Sequence, residues 1–157
     1  MSGHRLILEV QRVARPDPGV PGDDLLQSWA EAALEPGRNE VELVIRLVDE
    51  TESQQLNRDY RGKDRPTNVL SFPFDAPDVV PISLIGDLVI CVPVVSREAD
   101  EQHKSLTAHW AHMVVHGVLH LQGFDHQTDA QAEQMESLER EILQGLNFPD
   151  PYLEEHT

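Results

Sequence analysis

Six of the eight histidines lie between positions 103 and 126, and their spacing predicts a metal site. His116 and His120 are four residues apart, so on a helix both imidazoles can face one ion. Gly123 accepts the positive φ with which a chain leaves a helix, and His126 follows as a third ligand. Three protein ligands leave a fourth position for water, as in catalytic zinc sites. The sequence therefore predicts one zinc ion per chain, although nickel, copper or iron also accept nitrogen ligands.

The segment that carries these histidines has the composition of a buried helix. His109, His112, His116 and His120 occupy an arc of roughly 80° on a helix, and the remaining surface is apolar nearly all round. A buried imidazole needs a partner, because an unsatisfied buried polar group costs about 1–3 kcal/mol. A metal ion supplies that partner to two of the four. His109 and His112 either line the same pocket, support the metal ligands from behind, or simply pack in the core.

The spacing H-x-x-x-H-x-x-G-x-x-H also matches the zinc loop of metzincin proteases. Those enzymes carry a glutamate general base directly after the first histidine, where this sequence has Gly117. No carboxylate stands between Thr107 and Phe124. The missing base argues against a peptidase.

The formal net charge of −16 argues against nucleic-acid binding, because phosphate contacts need cations. One short segment is an exception, since Arg58, Arg61, Lys63 and Arg65 stand within eight positions that hold only two acidic residues. The chain beyond Thr128 is strongly acidic. Any contact with a polyanion is therefore expected at the basic segment.

The elements that would position these residues alternate early in the chain and become helical late. Strands are predicted at 6–10, 41–48, 69–74 and 85–92 from alternating or β-branched apolar residues. Two helices are predicted in the first half of the chain, one from Asp23 or Asp24 to about Glu35 and one over 50–60. Two more are predicted later. One runs over 93–121 with a break near Lys104, and the other runs over 129–145 after a capping box of Thr128 and Gln131. The stretch 61–68 is predicted as an ordered loop and 75–81 as a turn. We expect an α+β fold, close to α/β, with a four-stranded mixed sheet, helices packed on it and the zinc-binding helix buried.

Length and composition predict one domain over residues 1–157, with enough apolar residues for a core. No apolar run reaches membrane-spanning length, and the first residues lack the pattern of a secretory leader. We therefore expect a cytoplasmic protein. The single cysteine, Cys91, excludes an internal disulfide and is expected in the core.

Three blocks of the sequence, in order, resemble the YbeY family of bacterial endoribonucleases. They are NRDYRGKDRPTNVLSFPF from Asn57, GDLVI from Gly86 and HMVVHGVLHLQGFDH from His112. The family's metal histidines fall on His116, His120 and His126, and its functionally important arginine falls on Arg61. Phe124 stands where a tyrosine is common in the family.

The resemblance implies a metal-dependent endoribonuclease for single-stranded RNA, acting in ribosomal RNA maturation, including the 3′ end of small-subunit RNA, and in ribosome quality control. It also implies contact with the ribosome, ribosomal proteins or assembly factors. The chemistry agrees, because zinc lowers the pKa of bound water toward about 7 and an arginine stabilises a phosphodiester transition state. Arg61 is the candidate for that role, with Lys63 and Arg65 holding neighbouring phosphates.

Two other functions stay open at this stage. One is a metallohydrolase with a peptide or small-molecule substrate, and the other is a metal-dependent adaptor that binds ribosomal proteins without turnover. Ser71 and Asp87, near strand ends, are either pocket residues or caps. Asp125 either orients the neighbouring ligand or belongs to a turn.

Overall fold

Alternating apolar segments of the sequence build a four-stranded mixed sheet. The computed structural model describes residues 5–35, 40–73, 84–125 and 127–152. The strands are β1 (Arg5–Arg12), β2 (Glu40–Val48), β3 (Val69–Pro73) and β4 (Leu84–Cys91). They lie in the order β1-β2-β4-β3, with β1, β2 and β4 parallel and β3 antiparallel to β4. The predicted sheet is confirmed, whereas residue 74 and the turn predicted over 75–81 lie outside the described residues.

Helices account for most of the rest of the described chain. They are α1 (Asp23–Ala32), α2 (Glu50–Arg61), α3 (Val92–Glu101), α4 (Leu106–Leu121) and α5 (Asp129–Gly145). The predicted break near Lys104 separates α3 from α4. The predicted capping box is present at the start of α5, where Thr128 and Gln131 bond each other's backbone N–H groups. The predicted α+β fold is therefore confirmed.

Some element boundaries differ from the prediction: β1 (Arg5–Arg12) is longer than 6–10, α1 ends at Ala32 instead of about Glu35, and two others have a clear physical reason. Gly22 is the N-cap of α1, and Asp23 and Asp24 lie in the first turn, where carboxylates favour the positive end of the helix dipole. Val92 begins α3 instead of ending β4, because Pro93 suits the first turn of a helix and cannot donate to a strand.

The helix α4 is buried in the larger of two apolar clusters, as predicted. This cluster lies between one face of the sheet and helices α1, α4 and α5, and a smaller cluster with residues of α2 and α3 lies on the other face. The helix α4 packs tightly on the sheet at Gly117, where a Cβ atom would lie 2.7 Å from Cδ2 of Leu88. This direct packing on β4 fixes the height of the α4 histidines above the sheet.

Cys91 is buried at the end of β4, as predicted for a core cysteine. Burial raises the pKa of its thiol. A thiol of raised pKa is a poor nucleophile at neutral pH, which agrees with a packing role. Within the described ranges, no helix combines the length and the apolar character needed to cross a bilayer.

Candidate metal centre and active-site cleft

An open cleft of about 620 Å³ lies between α4, β3 and the C-terminal end of α2. Two of the three predicted metal histidines, His116 and His120, line it together with Arg61. The third, His126, lies outside the described residues. Candidate residues from two distant parts of the sequence therefore meet in one cleft.

The ring of His116 is oriented by Glu139, which lies on α5. Nδ1 of His116 is 2.7 Å from Oε1 of Glu139. Because an ionised carboxylate can only accept, Nδ1 carries the proton and the lone pair of the ring lies on Nε2. Carboxylates commonly orient metal-binding histidines in this way. The contact fits a metal ion that binds Nε2 of His116.

Glu139 accepts three hydrogen bonds in the core. Its other oxygen, Oε2, is 2.7 Å from Nε2 of His112 and also accepts from the hydroxyl of Tyr152. Burial alone would raise the pKa of Glu139, but the hydrogen bonds from His112 and His116 outweigh burial and lower the pKa to about 2. Partial burial and the neighbouring carboxylate raise the pKa of Tyr152, so its hydroxyl keeps the proton it donates. The fully buried Glu139 is thus ionised and paired.

His112, His116 and Glu139 also form a group that could itself hold a metal ion, since their donor atoms lie within 4.8 Å of one another. Ligands of a tetrahedral zinc, with bonds of about 2.0–2.1 Å, stand roughly 3.3 Å apart. The two contacts of 2.7 Å are instead hydrogen-bond distances. Their geometry is that of a hydrogen-bonded network behind a metal site, with Glu139 orienting the imidazoles.

His120 lies one helical turn beyond His116, and the centroids of the two rings are 5.8 Å apart. After α4 the chain turns at Gly123, whose φ of 102° is the predicted positive value. The turn brings Asp125 to the cleft wall, with Oδ1 3.8 Å from Nε2 of His120. Asp125 therefore lies beside a candidate ligand and faces the cleft.

The loop after α2 is held by side chains of that helix. Oγ of Ser53 donates to the carbonyl oxygen of Thr67 and accepts from its N–H, both at 3.0 Å. Nδ2 of Asn57 donates to the carbonyl oxygen of Arg65 at 2.9 Å. Ser53 and Asn57 are buried by this loop. The predicted ordered loop is confirmed, and it fixes the end of α2, where Arg61 lines the cleft.

The predicted basic residues occupy different positions around the cleft. Arg61 lies in its wall, whereas Lys63 and Arg65 are exposed on the loop outside that wall. Arg58 pairs with neighbouring aspartates at 3.7 and 3.9 Å. Among the described residues, no ion pair includes Arg61, Lys63 or Arg65. Three cations thus stand at or near the cleft without a carboxylate partner in that part of the chain.

The remaining candidates divide between the cleft, the exposed surface and the core. Ser71 lines the cleft, and its Oγ is 3.4 Å from the carbonyl oxygen of Gly117. Asp87 is exposed and lies outside the cleft wall. His109 is buried behind the cleft, with Nε2 3.0 Å from Oε1 of Glu98. His109 therefore packs in the core and pairs with α3.

The position at which a metzincin carries its glutamate faces the sheet. Gly117 is buried, and any side chain there would meet Leu88. A glutamate at this position would clash with β4 before it could reach the cleft. The packing of α4 on β4 thus explains the absent base and argues against the peptidase mechanism.

Sequence reasoning missed Glu139, which lies on the next helix α5, and Tyr152, which lies in the chain after it. One signal for Glu139 was present, because it stands four residues from both Met135 and Leu143. All three are buried residues of one α5 face. A carboxylate in the middle of an apolar helix face needs a buried partner. The identity of that partner depends on how α5 docks on α4.

The fold and the cleft define an α+β protein with a candidate metal site. The family model of endoribonuclease YbeY matches residues 22–147. The chain belongs to this endoribonuclease family, as its three sequence blocks predicted. A similar solved structure is the solution structure of TM1509 from Thermotoga maritima, which is 25% identical with a TM-score of 0.54. That similarity covers 94% of this chain and 99% of the other.

Proposed function

We propose that this protein is a zinc-dependent endoribonuclease for single-stranded RNA, acting in the cytoplasm in small-subunit RNA 3′-end maturation and ribosome quality control. The supporting observation is one cleft that holds His116 and His120 together with Arg61, with Nε2 of His116 set by Glu139. Membership of the YbeY family supports RNA as the substrate class. The ribosome, its proteins or its assembly factors are the proposed partners.

The proposed metal ligands are His116, His120 and His126, an all-nitrogen set that suits zinc. Glu139 holds the proton of His116 on Nδ1, which keeps the Nε2 lone pair in place for a ligand bond. These residues would hold the zinc ion, and the chemistry that it would supply there is a bound water with a pKa lowered toward about 7.

Arg61 is the proposed catalytic cation. A phosphodiester transition state gathers negative charge on its oxygens, and the planar guanidinium offers two parallel donors to them. Its position at the end of α2 is fixed by the loop that Ser53 and Asn57 hold. Lys63 and Arg65, exposed outside the cleft wall, are proposed to bind the phosphates that extend from it.

The metal assignment is tested by elemental analysis of the purified protein, with about one zinc per chain expected. His120→Ala should lose most of that zinc, because a two-ligand site binds weakly. His103→Asn is the matched control, since His103 is exposed and has a φ of 55° that asparagine tolerates. Full zinc retention in His120→Ala would remove the proposed ligand set.

The catalytic role is tested with Arg61→Ala, which should keep its zinc and its folding. RNA cleavage should slow by about 100- to 1000-fold, the usual loss when one transition-state donor is removed. Arg97→Ala is the control, because Arg97 is an exposed arginine of α3 outside the cleft wall. Wild-type turnover in Arg61→Ala would leave Arg61 as a surface cation.

Matched assays with single-stranded RNA, single-stranded DNA and casein test the alternatives. Cleavage of casein with no cleavage of RNA would favour a peptide substrate. Zinc-replete protein that binds ribosomal proteins and cleaves none of the three would favour the adaptor.

A further inference from the structure

Tyr60 has the largest exposure among the large apolar and aromatic side chains that the structure describes. Its relative exposure is 69%, and it lines the same cleft as Arg61 and His116. An aromatic ring left in water at the mouth of a functional cleft offers a large apolar surface to a ligand.

The ring of Tyr60 is supported from behind. It packs edge-to-face on Phe72, with centroids 4.9 Å apart and an angle of 67° between the planes. Phe72 in turn packs on the smaller apolar cluster of the core. A ring held in this way loses little conformational entropy when a ligand covers it.

The neighbouring groups indicate the kind of ligand. Arg61, the next residue, lies in the same wall and offers donors for a phosphate. A flat ring beside a guanidinium matches the two parts of a nucleotide, because bases stack on aromatic side chains and phosphates bind arginine. The net charge of −16 weakens the attraction of a polyanion, whereas stacking does not depend on charge.

We infer that Tyr60, supported by Phe72, is a stacking subsite for one unpaired base of the RNA, and this inference rests on the proposed function. A base in a duplex is stacked on both faces by its neighbours, so only an unpaired base can turn onto the ring. The subsite therefore gives a structural reason for a preference for single strands.

The test compares Tyr60→Ala, Tyr60→Phe and the wild-type protein, all loaded with zinc. Single-stranded RNA carries a fluorescent adenine analogue that stacking quenches, and the signal is recorded on mixing, before cleavage accumulates. Tyr60→Ala should weaken binding by about 5- to 100-fold and lose the quenching, whereas Tyr60→Phe should stay near wild type. Zinc content should be unchanged in both variants. Leu25→Ala is the control, because Leu25 is an exposed apolar residue of α1.

A second arm replaces one base at a time by an abasic site. At the stacked position, the abasic RNA should bind wild type and Tyr60→Ala equally, since the partner of the ring is gone. If the wild-type protein cleaves RNA, and Tyr60→Ala binds RNA with unchanged affinity and unchanged quenching, the stacking subsite is overturned. The proposed function would still stand in that case. If Tyr60→Ala binds RNA like the wild type but no longer binds ribosomal proteins, Tyr60 is a contact for a protein and the subsite is overturned. A wild-type protein that neither binds nor cleaves RNA would instead overturn the proposed function.

Discussion

Glu139 keeps a negative charge in the core because three donors surround it. His112, His116 and Tyr152 all donate to its two oxygens. A glutamine at position 139 would keep the shape and remove the charge. Its amide NH₂ group would then face one of these buried donors. The direct effect would be on His116, because the orientation of its ring depends on this carboxylate.

Glu139→Gln is expected to weaken zinc binding by about 10- to 100-fold, the usual effect of losing a carboxylate that orients a ligand histidine. The measurement is competition against a chelator of known affinity, with circular dichroism as the check on folding. Glu133→Gln is the matched control, because Glu133 is exposed on the same helix. Equal zinc affinity in Glu139→Gln and the control would restrict Glu139 to a purely structural role.

At the scale of single residues, the sequence predicted what local spacing encodes. His116 and His120 are one turn apart on one helix, and Arg61 stands in a matching block, so all three could be named before the structure. Glu139 and Tyr152 could not, because their contacts depend on the docking of α5 and the chain after it onto α4. That docking is a matter of tertiary packing, which no short motif records.

The elements behind the cleft are α4 and β4, and Gly117 lets them pack closely. Gly117→Ala should destabilise the fold by about 1–3 kcal/mol, because the added methyl group would lie 2.7 Å from Leu88 in a filled core. Denaturant unfolding of Gly117→Ala, Leu88→Ala and the double variant measures this effect. The loss of free energy of unfolding in the double variant should be smaller than the sum of the two single losses, since Leu88→Ala makes room for the methyl group.

Gly145→Ala controls for the higher helix propensity of alanine, because a Cβ atom at Gly145 would meet nothing within 4 Å. Its stability should equal or slightly exceed that of the wild type. Additive costs in the double variant would show that Leu88 is not the residue that excludes a side chain at 117.

Glu98 links three elements around the cleft. It lies on α3 and accepts from Nε2 of His109 on α4 at 3.0 Å and from Nδ2 of Asn68, before β3, at 3.1 Å. Burial alone would raise the pKa of Glu98, but the hydrogen bonds from His109 and Asn68 outweigh it and lower the pKa. A lowered pKa in the folded state stabilises the fold above the pKa of the unfolded chain, and this stabilisation is lost as the pH falls toward the folded value.

Glu98→Gln is therefore expected to cost about 1–2 kcal/mol near neutral pH, where the wild-type carboxylate is charged. The difference between the two proteins should shrink as the pH falls below the ordinary carboxyl pKa of 4.5. Urea unfolding over a pH series measures it, with Glu101→Gln as an exposed control on the same helix. A difference that stays constant across the series would mean that the charge of Glu98 does not stabilise the fold.

At the scale of elements, alternation and capping signals predicted the strands and helices well, because those signals are local. The boundary at Val92 was misplaced, since a run of apolar residues does not show where a buried strand gives way to a buried helix. The two buried residues Ser53 and Asn57 of the polar helix α2 were also missed. Their burial arises because the loop folds back on the helix, and that arrangement has no periodic signature.

Over the whole molecule, the net charge is negative, which is unfavourable for binding the proposed RNA substrate. The net charge of −16 repels a polyanion at a distance, and Arg58 is already paired with neighbouring carboxylates. Only Arg61, Lys63 and Arg65 of the basic segment stand without an ion pair among the described residues. The acidic α5 offers a surface to basic proteins. The proposed ribosomal partners would deliver the protein to RNA that it binds weakly alone.

Binding to naked RNA should therefore be weak and should release few counterions. The salt dependence of binding to one fixed single-stranded RNA measures their number, at roughly 0.7 of a log unit per phosphate contact. The double variant Lys63→Ala, Arg65→Ala should weaken binding and flatten the slope by up to two contacts. The double variant Arg15→Ala, Arg97→Ala is the matched control, because it removes the same charge from exposed positions outside the cleft wall.

The comparison of the two double variants separates local contact from the overall field. If only net charge mattered, both double variants would weaken binding and change the slope to the same extent, because each removes two positive charges and salt screens the far field of both alike. If the basic loop binds phosphates, the loop variant loses more of the slope than the control does, because only its substitutions remove phosphate contacts. The affinity that remains is the part that Arg61 and uncharged contacts in the cleft supply. Tight RNA binding that is unchanged in the Lys63→Ala, Arg65→Ala variant would mean that another surface of the chain recognises RNA.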